Sequence, residues 1–158
     1  MIEQFISYLV FCAALGSGLV AGLFFAFSSF VMNALATLPR EQGIVAMQSI
    51  NITVLNWSFL TVFIGTALAS VLLVVFSLFN WENPSAVYLL IGSGLYLLGS
   101  IIVTGVSNVP LNNALASVNA KEPESVTLWK EYMLKWTAWN HIRTVTSLSA
   151  CASFILAL

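Results

Sequence analysis

Charge is what this chain has least of. Only 7% of its 158 residues are Asp, Glu, Lys or Arg, and aspartate is absent altogether. A soluble domain needs far more charge on its surface, so the composition indicates an integral membrane protein. Histidine occurs once, at His141, and cysteine twice. With one His, no Asp and no Cys near His141, a normal zinc or iron ligand set is missing, so no metal is expected. There is no Gly-rich phosphate loop on a strand–helix turn and no Ser-His-acid set. The net charge of −1 leaves no basic footprint for nucleic acid. Cys12 and Cys151 fall inside apolar segments near one end of the chain's expected bundle. They read as buried thiols rather than a disulfide.

What the chain has instead is hydrophobicity, at 59% of residues. A bilayer core takes roughly 20 apolar residues per helix. Four spans follow, at about 5–36, 57–79, 86–107 and 136–157. The fold class is therefore all-α: one domain over 1–158, an integral membrane four-helix bundle. The N-terminal run is too long, and too poor in Lys and Arg, for a cleaved leader. Arg40 lies in the first loop, and Lys121, Lys130 and Lys135 lie in the third. The second loop and both termini have no Lys or Arg. The positive-inside rule puts loops one and three in the cytoplasm and the termini outside, for a multi-pass protein of the cell membrane.

Loop 1 recovers helical periodicity through Ala46–Asn51, which predicts a short amphipathic helix at the interface. Asn108-Val109-Pro110 predicts the end of the third helix, because a residue before proline is pushed out of the α region. Ser125 or Thr127 can start the last helix. Gly18 and Gly22, with Ala14 and Ala26, form a small-residue stripe. It serves close packing inside the chain or a homo-oligomer seam. Asn33-Ala-Leu-Ala and Asn113-Ala-Leu-Ala echo one another 80 residues apart, which suggests two related helix pairs.

The polar residues are unevenly placed. Of ten asparagines, only Asn80 and Asn83 fall at the second-loop end. The rest, including Asn51, Asn108, Asn112 and Asn140, gather at the end holding His141 and Arg143. On a helix turning about 100° per residue, Trp129, Trp136, Asn140, Arg143 and Ser147 form one stripe. Thr137, His141 and Thr144 form an adjoining one. Lipid does not tolerate such an arc, so it is expected to face the bundle interior. Tyr132 and Trp139 flank it. Each group also has a plainer reading. Arg143 can snorkel to headgroups, His141 can bond a helix carbonyl, the tryptophans can belong to an interfacial belt, and the loop asparagines can cap helices. The functional reading rests on their convergence.

Four segments carry a resemblance: Phe27–Leu35, Ala46–Asn51, Asn108-Val-Pro-Leu-Asn112, and Trp129…Tyr132…Trp136…Trp139-Asn140-His141-Ile-Arg143. Together they resemble the anthrone oxygenase-like family of small four-span membrane proteins, long catalogued as a domain of unknown function. Many relatives have proline after Phe-Val-Met, where this chain has Asn33. The resemblance implies an oxidoreductase that converts anthrones to anthraquinones with O2, with no metal or flavin cofactor. Such chemistry needs a base, an oxyanion holder and a flat apolar slot. His141 fits the base. Arg143, Asn140, Asn108 and Asn112 fit the oxyanion holder, with Asn51 nearby. Trp136, Trp139 and Tyr132 fit the slot. The expected partners are the bilayer, a small hydrophobic aromatic substrate and O2. The alternative is a non-catalytic protein that binds a lipid, a quinone or a partner helix.

Overall fold

A computed structural model describes residues 2–158, and every element in it is helical. Among the described residues there are five helices: α1 (Glu3–Thr37), α2 (Arg40–Thr53), α3 (Trp57–Phe79), α4 (Ala86–Ala116) and α5 (Glu124–Leu156). Helices α1, α3 and α4 are long and apolar enough to cross a membrane. The chain is thus a helical membrane bundle. Helix α5 is as long but falls short on composition, although the sequence reads 136–157 as a fourth span. Its polar stripe is the reason. Asn140, Arg143, Thr144 and Ser147 are all buried, and with His141 they dilute the apolar part of the helix.

The long helices pack as a square. Each of α1 and α4 lies against both α3 and α5. Their core runs through Val20, Phe24, Phe63, Leu73, Tyr96 and Phe154. Glycine matters where backbones come closest. A Cβ at Gly16 would collide with the side chain of Thr66, and one at Gly99 with that of Thr146. Tyr96 fixes α4 to α3 by donating its hydroxyl to the Phe63 carbonyl at 3.0 Å. Gly18 turns toward Cys151 of its own chain, whereas Gly22 is exposed with open space beside it. Half of the small-residue stripe is thus used within the molecule. The outer faces carry bare apolar side chains, with Trp57 and Trp81 exposed at the two ends of α3 as interfacial anchors would be.

Two expectations need correction. Cys12 is exposed, because it shares the outward stripe of α1 with Tyr8, Leu15 and Leu19, and Cys151 is only half-buried. Pro110 does not end the third helix, which continues to Ala116. Just before the proline, α4 widens into π-helical turns at Leu97–Ile102 and Thr104–Asn108. The wider turn makes room for a ring that would clash with the carbonyl one turn back. Helix α1 has a similar π turn at Phe27–Val31. Both helices therefore change winding near the same end.

At that end α2 lies across the bundle, as the loop 1 pattern predicts. It buries Ile44 and Met47 against Met32, Leu115, Trp129 and Tyr132. Gln48 holds it down by donating its Nε2 to the carbonyls of Leu115 and Val118 at 2.8 and 3.1 Å. Asn56 caps α3, its side chain accepting from the amide of Phe59 at 3.0 Å. Pro123 precedes α5, and Ser125 bonds back to the carbonyls of Ala120 and Glu122.

Candidate functional site

Helix α5 brings one face of the site. Trp129, Tyr132, Trp136, Asn140, Arg143 and Ser147 recur every three to four residues and are all buried. The three rings form a column. Trp129 stacks on Tyr132 with centroids 5.8 Å apart, and Tyr132 on Trp136 at 6.0 Å. Phe27 of α1 lies tilted against Trp136, with centroids 5.5 Å apart.

The amides of the other helices tie this column in place. Asn112 Oδ1 accepts from both the Tyr132 hydroxyl and the Trp136 Nε1, each at 2.8 Å. Asn51 Nδ2 donates to the same hydroxyl at 3.3 Å. Asn108, which is 1% exposed, donates to the Trp136 carbonyl at 3.2 Å and leaves its own oxygen without a partner. The double acceptance at Asn112 Oδ1 fixes which way that amide is turned.

Arg143 is 4% exposed, and among the described residues no carboxylate pairs with it. Its charge is held by weaker means. Nη2 donates to Asn140 Oδ1 at 2.7 Å and Nη1 to Thr104 Oγ1 at 3.1 Å. The guanidinium sits over the Phe24 ring at 4.2 Å and the Trp136 ring at 5.1 Å. Nε has no partner. Asn140 is in turn fixed to α1, donating to the Phe24 carbonyl and to Ser28 Oγ, both at 2.7 Å. A buried cation held only by neutral groups keeps capacity for an anionic oxygen.

These groups border a cavity of about 520 Å3 at the α2 end of the bundle. All five helices contribute to it: Phe24 and Phe27 from α1, Met47 and Asn51 from α2, Phe63 from α3, Thr104 and Asn112 from α4, and Trp136 and Arg143 from α5. The π turns of α1 and α4 supply Phe27 and Thr104 to the wall. π turns recur at functional sites because they re-aim side chains that a regular helix would stack. The volume falls in the usual range for a small-molecule site, and the lining is mostly apolar with a few converging polar groups.

Asn51, Asn112, Trp136 and Arg143 line the cavity directly, and Tyr132, Asn108 and Asn140 stand immediately behind it. His141 and Trp139 do not belong to it. His141 is exposed and Trp139 is 39% exposed, both on the outer side of α5. The expected polar arc was too wide. Only the Asn140–Arg143–Thr144–Ser147 side turns inward, and the helix carries its lone histidine outside. Sequence reasoning missed Phe24, Phe27, Phe63 and Thr104. They sit in long apolar runs where nothing distinguishes a wall residue from a core one. Among the described residues no three His, Cys, Asp or Glu side chains come together.

A family described as anthrone oxygenase matches residues 57–153, well over half of the chain. The match spans Asn108–Asn112 and the α5 motif but does not reach Phe27–Leu35 or Ala46–Asn51, where the resemblance was also read. No curated protein and no solved structure matches the chain.

Proposed function

The chain belongs to the anthrone oxygenase family, and from that premise we propose that the cavity bordered by Trp136 and Arg143 binds a flat phenolic or anthrone-like molecule and promotes its oxidation by O2 without a cofactor. The single observation that carries this reading is the buried guanidinium of Arg143. It has no carboxylate partner among the described residues and forms part of the wall of an aromatic cavity. In this reading α5 is a fourth membrane span, its polar stripe shielded by α1 and α4.

The chemistry follows from the substrate's acidity. An anthrone methylene loses a proton to give an enolate, whose oxygen lies against the guanidinium. The cation and the Thr104 hydroxyl lower the cost of ionisation, and the proton leaves to solvent. The electron-rich enolate carbon then reacts with O2. One oxygen atom stays as the new carbonyl, and the other leaves as water with the two methylene hydrogens. Phe24, Phe27 and Trp136 offer apolar aromatic wall to a flat substrate. His141, on the outer side of α5, has no part in this scheme.

A second reading is binding without turnover, of a quinone or lipid. It is favoured by the lining itself, which holds neither a histidine nor a carboxylate to act as a base. Oxygen uptake by the purified protein on anthrone near neutral pH separates the two. Uptake with formation of anthraquinone supports the oxygenase. Tight binding of anthraquinone with no uptake supports the second reading. An ultraviolet–visible spectrum of the same sample is expected to show protein bands alone, and a haem or flavin band would overturn the cofactor-free scheme.

A further inference from the structure

The cavity has two sides that differ sharply. Toward the loops it is covered by α2, whose Ile44 and Met47 are fully buried and whose Gln48 is bonded to the end of α4. Toward the lipid it is not covered. Helix α3 packs against α4 along 86–102 but has no comparable packing with 104–116, so the two helices part at this end. The cavity reaches that gap, where Leu60 and Ile64 of α3 face Val109 and Ala116 of α4. Ile64, Val109 and Ala116 are exposed on the outer surface as well as lining the cavity. Ile64 lies seven residues into α3, about 10 Å below its first residue at 1.5 Å per residue. The gap therefore runs from the loop end of the bundle down to the level of the hydrocarbon.

We propose that the cavity loads from the bilayer through this gap, and that its ligand is a ring-bearing lipid. The phenolic or quinone ring sits in the cavity beside Trp136 and Arg143, and a long apolar tail lies out between α3 and α4. The proposal rests on the cavity's being the ligand site, as argued above, and adds the chemical class of the ligand. A tail moving from lipid into the gap changes one apolar surrounding for another. The gap therefore admits the tail without adding much affinity.

The test uses two probes in phosphatidylcholine vesicles: 2-methyl-1,4-naphthoquinone, and the same ring with a four-isoprene tail. Binding is read from quenching of tryptophan fluorescence, since Trp136 lines the cavity, at equal mole fractions of probe in the bilayer. Wild-type protein is expected to bind both. Leu60→Phe and Val109→Phe, which fill the gap, are expected to weaken the tailed probe by about tenfold or more, roughly 1.4 kcal/mol, and to leave the tailless probe nearly unchanged. Retained binding of the tailless probe also shows that each variant is folded. The proposal is overturned if wild type binds only the tailless probe, or if the two variants affect both probes alike. If wild type binds neither probe, the cavity is not a ring-binding site, and the underlying reading fails along with the proposal.

Discussion

A guanidinium taken out of water costs several kcal/mol even after the protein relaxes, and Arg143 offsets that cost with Asn140, Thr104 and two ring faces rather than with an acid. Removing such a charge relieves its desolvation cost but leaves its hydrogen-bond partners behind. Arg143→Met removes the buried charge but orphans Asn140 Oδ1, at about 1–3 kcal/mol, so the melting temperature in detergent is expected to change little while ligand binding falls. A variant that loses both stability and binding would mark Arg143 as structural. Asn112 differs, because its oxygen serves two buried donors at once. Asn112→Leu orphans both, at about 1–3 kcal/mol each, and is expected to lower the melting temperature clearly. His141→Ala is expected to leave oxygen uptake within about twofold of wild type; a loss equivalent to 1.4 kcal/mol or more would return the base to His141. The sequence made the Trp136–Asn140–Arg143 side legible because buried polar groups in lipid need partners. It misjudged His141 for a geometric reason. Residues 141 and 143 are about 200° apart around a helix, and one cavity takes only one of those directions.

At the scale of elements, the long helices follow from the apolar runs, and the amphipathic α2 and the start of α5 follow from periodicity and turn residues. Helix α4 did not follow. A proline after Asn-Val reads as a terminator, but the π turns of 97–108 let the helix continue through Pro110. Local preference was overruled by packing, because α4 must run past Pro110 for the carbonyls of Leu115 and Val118 to meet Gln48 and close the cavity roof. Close approach between α4 and α5 makes its own prediction. Gly99→Leu forces a side chain into Thr146, and overpacking of that kind costs about 1–3 kcal/mol. Gly94→Ala meets nothing within 4 Å and is expected to be neutral or slightly stabilising. Thermal unfolding of the pair in the same detergent checks the contrast, and equal melting temperatures would contradict the packing described.

At the scale of the molecule, the bundle is apolar at one end and carries its polar groups at the other, and the cavity lies at the polar end. That asymmetry was readable from the spread of asparagines alone. The cavity was not, since its walls come from all five helices and a sequence does not state which faces meet. The central claim is that the chain acts where Trp136 and Arg143 meet. The most direct test is oxygen uptake on anthrone by the purified wild type and Arg143→Met, with anthraquinone measured alongside. The account predicts one O2 consumed per anthrone by wild type and a rate at least about 100-fold lower in the variant. Uptake by Arg143→Met at the wild-type rate would contradict it.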